Sequence, residues 1–199
     1  MTIHKNLFSP KWVAARIRVE RFRKRYEFCP GLATPCVQFI ESWLRRTDSV
    51  LEYGSGGSTP WFVSRVREVV SVENDRGWYE RVKNWTSSAT NLSLHLFDGA
   101  AEPKKTGGLV SSEYVDFAQS LPVEHFDLVL DDGWARIAVA RKCLPLLKSG
   151  GCLVFDDHSV EQIEALTDEA ARKFLNEITG YRRVTWDDGT HKTAGFFKP

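Results

Sequence analysis

Two glutamates and three glycines in the first half of the chain stand at spacings that suit a charged small molecule. Residues 50–60 read VLEYGSGGSTP: a buried strand, a glycine-rich turn and the start of a helix. Gly54, Gly56 and Gly57 let the backbone bend tightly and approach a ligand, and the free N–H groups of the helix that follows attract a carboxylate or phosphate. Pro60 suits the first helical position, where no N–H is needed. An apolar run, Val69, Val70 and Val72, then ends in Glu73, nineteen positions after Gly54. That is close to the spacing at which a strand-end carboxylate binds a ribose.

The turn departs from the dinucleotide pattern G-x-G-x-x-G, because Thr59 holds the third glycine position. Glu52, two places before Gly54, suits a ligand's amino group better than a pyrophosphate. Three more carboxylates close apolar runs in the second half: Asp131 after FDLVL, and Asp156 with Asp157 after GGCLVF. In an open parallel sheet such strand ends border one crevice. His158 adjoins the pair and is the candidate proton acceptor, and His191 is a weaker one.

The elements that position these residues follow in βα alternation. Residues 61–67 read as a helix, 69–73 as a strand, and 91–97 (NLSLHLF) as a strand ending at Asp98-Gly99. Residues 126–132 form a fourth strand, 136–147 a helix, and LLKSGGCLVFDD a turn and fifth strand. Residues 181–186 and 192–197 flank Asp187-Asp188-Gly189, a hairpin signal. The segment 100–122 is too long for a tight connection. Its Tyr114 and Phe117 belong either to a substrate wall or to an ordinary connecting helix.

The pattern E-x-G-x-G with an acidic second strand end, followed in order by these strands and the terminal pair, resembles class I S-adenosylmethionine-dependent methyltransferases over residues 33–199. The resemblance implies a Rossmann-like α/β fold: a seven-stranded mixed sheet in the order 3-2-1-4-5-7-6, with helices on both faces. It implies that Glu52, Tyr53, Gly54, Ser55, Gly56 and Ser58 hold the methionine part of the cofactor and Glu73 its ribose. Asp98 and Gly99 would lie beside the adenine, and Asp131 would face both cofactor and substrate. Within the family, the carboxylates are similar to those of metal-dependent O-methyltransferases of the catechol and antibiotic-sugar types. That implies Mg2+ held by Asp131, Asp156 and Asp157, with Asp131 and His158 catalytic. The match departs at Trp134, where the catechol type has a lysine.

Methyl transfer from a sulfonium is an in-line displacement, so alignment and removal of the acceptor's proton are what the protein must supply. No Asn-Pro-Pro-Tyr or Asp-Pro-Pro-Tyr sequence follows the fourth strand, which points away from amino-methylating enzymes of bases and glutamine and toward a hydroxyl oxygen of a small molecule. A nicotinamide-dependent oxidoreductase and a non-catalytic module binding RNA or a protein are the alternatives.

The chain has 199 residues, 42% hydrophobic and 27% charged, as befits one soluble domain. Its net charge of +1 gives no overall preference for nucleic acid or membrane. Residues 1–30 hold eight Lys or Arg against two Glu, a net of +6. Within the helical extension expected over 1–32, Trp12, Ala15, Val19, Phe22 and Tyr26 form an apolar stripe that docks on the domain or on a second copy in a homodimer. A lid over the pocket and a basic surface for RNA or anionic lipid are the functional alternatives. A second helix, capped by Thr34 and Pro35, carries Val37, Phe39, Ile40, Trp43 and Leu44 as core. No apolar run suits a secretory signal or a membrane span, and four cysteines without C-x-x-C spacing suit a reducing, cytoplasmic setting.

Overall fold

The computed structural model describes residues 9–98 and 111–199. Its strands are β1 (Ser49–Tyr53), β2 (Glu68–Glu73), β3 (Leu92–Leu96), β4 (Phe126–Asp131), β5 (Leu147–Asp156), β6 (Arg182–Asp187) and β7 (Lys192–Phe197). They form one seven-stranded sheet in the order β3-β2-β1-β4-β5-β7-β6, the order expected. The first five run parallel, and β7 enters antiparallel between β5 and β6.

Strand parity divides the core, because successive side chains point to opposite faces. Leu51, Tyr53, Val129, Leu153 and Phe155 pack on one face. They meet Tyr114 of α5 (Ser112–Asp116), Val139 of α6 (Arg136–Cys143), Ile163 of α7 (Val160–Glu164) and Phe174 of α8 (Glu169–Glu177). Val50, Leu128, Leu130, Cys152 and Val154 pack on the other face. They meet Phe22 of α1 (Pro10–Arg23), Ile40 of α2 (Thr34–Trp43) and Trp61 and Phe62 of α3 (Ser58–Val63). The remaining helix, α4 (Arg76–Trp85), flanks β2 and β3.

Several expected boundaries shift for local reasons. The helix expected over 61–67 begins at Ser58, directly after the glycine turn, so Pro60 is its third residue. Proline is tolerated there because first-turn N–H groups have no intrahelical partner. The helix expected over 136–147 stops at Cys143 and tightens to a 3₁₀ turn over Leu144–Leu146, where Pro145 lacks the N–H that α-geometry requires.

The N-terminal helix docks on its own domain: Ala15, Val19 and Phe22 are buried, and Arg23 donates to the Gly31 carbonyl at 2.6 Å. It ends at Arg23, so Tyr26 lies in the turn beyond it and donates to Glu41 of α2 at 2.7 Å. Val13 and Ile17 remain exposed on its outer side. The cap of α2 is a tertiary one. Asp188 of the β6–β7 hairpin accepts from the Thr34 N–H (2.9 Å) and hydroxyl (3.2 Å), 154 residues away in sequence. Among the described residues no helix is long and apolar enough to cross a membrane.

Candidate active site

The carboxyl ends of β1, β2, β4 and β5 converge, and the turns leaving them are tied by backbone bonds. The Gly54 N–H donates to Val72, the Asp132 N–H to Tyr53 and the Phe97 N–H to Glu73, each at 2.8–2.9 Å. Gly54 has φ +91°, and a Cβ there would lie 2.6 Å from the Asp132 carbonyl oxygen. The close approach that requires glycine here is therefore to the β4–α6 turn. Gly56 is open: a Cβ would meet nothing nearer than the Ser58 hydroxyl at 4.0 Å. Of the two, only Gly56 leaves its space to a ligand.

Beneath the turn, Glu52 is fully buried. Its Oε2 accepts from Thr59 and Ser71 hydroxyls, both at 2.6 Å. Thr59 in turn accepts from the Gly56 N–H (3.1 Å), and Ser71 meets the Ser55 hydroxyl (2.7 Å). Glu52 thus braces the loop from below. Its Oε1 has no partner among the described residues. Burial pushes its pKa up to about 7 against the pull of the Ser58, Ser71 and Thr59 hydroxyls. Thr59, which replaces the third glycine of the dinucleotide pattern, is part of this brace. Ser58 is buried as the first residue of α3, and Tyr53 is buried with its hydroxyl unpartnered among the described residues.

Glu73 closes β2 with only 4% exposure, and its Oε1 accepts from the N–H groups of Asn74 and Asp75, both at 2.8 Å. Burial raises its pKa, and those N–H groups oppose the rise. Asp98 follows β3 and is held by Arg76 Nε at 2.6 Å. Gly99 lies outside the described residues, as do residues 100–110 of the 100–122 segment. Where that segment is described, Tyr114 is core: its ring packs edge-on against Tyr53 at 5.1 Å. A Cβ on Gly133 would come within 2.0 Å of its hydroxyl. Phe117 packs at a tilt against the rings of His95 and Phe97.

The acidic ends differ from expectation at one position. The carboxylates that come together, within 4.8 Å of one another, are Asp132, Asp156 and Asp157, and Asp131 is not among them. The reason is strand alternation. Asp131 follows the parity of Val129 toward the α5–α6 face, where it is fully buried, both oxygens are unpartnered among the described residues, and that burial raises its pKa well above the carboxylate range. Asp132, one residue on, turns to the crevice. Asp156 accepts from Thr193 of β7 at 2.8 Å, and burial raises the pKa values of both Asp132 and Asp156.

A guanidinium already occupies this cluster. Arg136 Nη2 donates to Asp132 Oδ1 (3.1 Å) and Asp157 Oδ2 (3.3 Å), Nη1 to the Asp156 carbonyl (2.7 Å) and Nε to the Gly133 carbonyl (3.1 Å). With a cation bridging two of the three carboxylates, this donor set does not fit a divalent ion. Two left-handed non-glycine residues frame it, Ala135 (φ +52°) and Asp157 (φ +60°), a conformation that costs roughly 1–2 kcal/mol outside glycine. Nothing in the residue types foretold Arg136, although its i,i+4 spacing from Asp132 is an available signal.

His158 lies between the cluster and an adjoining cavity. Its Nδ1 is 3.1 Å from the Asp156 carbonyl oxygen, which can only accept, so Nδ1 carries the hydrogen and Nε2 of the neutral ring is free to take a proton. The cavity, about 730 Å³, is lined by Asp132, Trp134, Ile137, Phe155, His158 and Leu166. Trp134 stands 41% exposed at its mouth. This is an open, mainly apolar pocket whose lining also includes the Asp132 and Asp168 carboxylates, the Arg136 guanidinium and the His158 imidazole, a site for an acceptor with an apolar body and a polar group. His191 is tied up in the hairpin, 2.8 Å from the Thr190 hydroxyl.

No family model matches the sequence, and no curated protein matches it either. Solved structures match in fold. An O-methyltransferase from Bacillus cereus in complex with SAH has a TM-score of 0.59 at 14% identity, covering 96% of this chain and 91% of that one. A methyltransferase from Geobacter sulfurreducens gives 0.57 at 14%, with 96% and 90% covered. A methyltransferase-like protein from Silicibacter pomeroyi gives 0.56 at 19%, with 86% and 90% covered. At such identities the likeness is one of fold.

Proposed function

We propose that this chain transfers a methyl group from S-adenosylmethionine to a hydroxyl oxygen of a small acceptor seated in the cavity beside His158. The observation that carries the reading is the pair of buried carboxylates on either side of the glycine turn. Glu52 keeps an unpartnered Oε1 for a ligand ammonium, and Glu73 is anchored at the next strand end for ribose hydroxyls. The open backbone at Gly56 lies between them in sequence. The similar Bacillus cereus fold was solved with SAH, which supports the same ligand class here.

Bound there, S-adenosylmethionine supplies a methyl group on a positively charged sulfur. The residues of this chain do the rest. The loop braced by Glu52 and Thr59 fixes the ligand's position without moving, which lowers the entropic cost of alignment. Trp134, Ile137, Phe155 and Leu166 offer the acceptor an apolar wall. His158 Nε2 takes the acceptor's hydroxyl proton as oxygen attacks carbon, the carbon–sulfur bond breaks and its electron pair returns to sulfur. Asp131 has no direct part in this scheme, because it faces the protein interior.

The four free cysteines, three of them buried, support a reducing, cytoplasmic setting. A homodimer through α1 would cover Val13 and Ile17. Titration calorimetry with S-adenosylhomocysteine and, separately, NAD tests the main reading. Binding of the first alone is expected, and binding of NAD instead would favour an oxidoreductase.

A further inference from the structure

We propose that Arg136 is the resident cation of the Asp132–Asp156–Asp157 cluster, so that this site is organised by a guanidinium and takes up no divalent metal. The geometry is that of a clamp. One side chain donates four hydrogen bonds, two to carbonyl oxygens (Gly133 and Asp156) and two to carboxylates (Asp132 and Asp157), and so joins the turn after β4 to the turn after β5. Guanidinium presents several N–H donors in a fixed plane and does not lose its charge at any physiological pH, so it spans such a set where a lysine could not.

The backbone is shaped for it. Arg136 is the first residue of α6, delivered by the left-handed Ala135, while the left-handed Asp157 turns its carboxylate back toward the same group. Mg2+ needs several oxygens at 2.0–2.1 Å in near-octahedral array. Here Asp132 Oδ1 and Asp157 Oδ2 already face one nitrogen, and Asp156 Oδ1 is committed to Thr193. A divalent ion would have to displace Arg136 or sit against its charge.

The clamp also reaches His158. The Asp156 carbonyl that accepts from Arg136 Nη1 is the one that accepts from His158 Nδ1. Arg136 is therefore a positioning residue: it holds the carbonyl that fixes the imidazole tautomer and leaves Nε2 as the base. This last consequence rests on the function proposed above, whereas metal exclusion does not.

The full-length protein, stripped with chelator, is titrated with MgCl2 and MnCl2 by calorimetry and followed by thermal unfolding, alongside Arg136→Met and Arg136→Lys. Wild type is expected to show no binding heat and no shift in Tm with either ion. Arg136→Met is expected to unfold at lower temperature and to acquire Mn2+-dependent stabilisation, since removing the guanidinium frees the carboxylates. Arg136→Lys should regain the charge but not the bridge, and recover only part of the Tm. A Tm gain of more than about 2 °C with metal in wild type, abolished in Asp157→Asn, would overturn the proposal. So would an Arg136→Met protein as stable and as metal-indifferent as wild type. If Arg136→Met does not fold, the wild-type and lysine arms still decide. None of these readouts needs methyl transfer, so failure to bind S-adenosylhomocysteine would sink the function and leave the clamp standing.

Discussion

The two halves of the crevice are built on opposite principles. On the β1–β2 side, carboxylates are embedded in a short-range lattice: hydroxyls of Thr59 and Ser71 on Glu52, and N–H groups of Asn74 and Asp75 on Glu73. On the β4–β5 side, three carboxylates lie within 4.8 Å of one another and two of them, Asp132 and Asp157, share one guanidinium, with two left-handed residues holding the turns. The first half is a rigid socket whose shape is set by neighbours in sequence and adjacent strands. The second gathers opposed charges, and the proposed function places its acceptor chemistry beside them. Under the proposed function, ligand placement and acceptor chemistry thus rest on separate structural devices.

Breaking the socket should have the largest effect. In Gly54→Val a Cβ is forced within 2.6 Å of the Asp132 carbonyl oxygen at φ +91°, so a destabilisation on the order of 3 kcal/mol or more is expected in urea unfolding. An unshifted midpoint would mean that the β4–α6 turn yields freely. Gly56→Val separates ligand contact from folding. Its Cβ meets no protein atom closer than 4.0 Å, so stability should stay within about 0.5 kcal/mol while affinity for S-adenosylhomocysteine falls about tenfold or more. Retained affinity would remove that face of the turn from the ligand site.

A pH experiment sharpens the contrast at Glu52. In the free protein its carboxyl titrates near 7, and a ligand ammonium favours the charged form. Below that pH, binding must expel a proton, so affinity should fall up to tenfold per unit, and above it should level off. Calorimetry across pH 5.5–8.5 reads this, and Glu52→Gln should flatten the profile. A flat wild-type profile would leave Oε1 without a ligand.

The smallest effect concerns the scaffold. Burial alone would raise the pKa of Asp188, but bonds from Thr34, Thr190 and His191 hold it below the usual value. A depressed folded pKa gives stability that is present above the unfolded value of about 3.9 and is lost as pH falls through the folded one. Asp188→Asn should therefore cost about 1 kcal/mol at pH 7 and progressively less under acid, by thermal unfolding at each pH. An equal cost at pH 7 and pH 2.5 would show that hydrogen bonding alone, without charge, makes the cap.

Where particular residues are compared, the legible part is the part written locally. Alternating and continuous apolar runs marked β1 to β5, the Asp187-Asp188-Gly189 turn marked β6 and β7, and the glycine turn marked the β1–α3 junction, because all depend on the period and backbone freedom of adjacent residues. The ends were less clear: Pro145 shortened α6 and Ser58 advanced α3 by a few residues, since helix limits depend on which N–H groups find partners. Tyr114 could be read either as wall or as core, and only its packing on Tyr53 decided.

By itself, the sequence determined the strand succession, the two carboxylates of the socket and the presence of acids at the ends of β4 and β5. Tertiary structure decided which acids meet. Asp131 and Asp132 are indistinguishable in composition, yet the two-residue period of a strand sends one into the core and the other to the crevice. It also decided that Arg136 reaches a carbonyl twenty residues on, at Asp156, and that Asp188 caps a helix 154 residues upstream. Such pairings depend on where the folded sheet places each loop, a long-range property that no local window of residues contains.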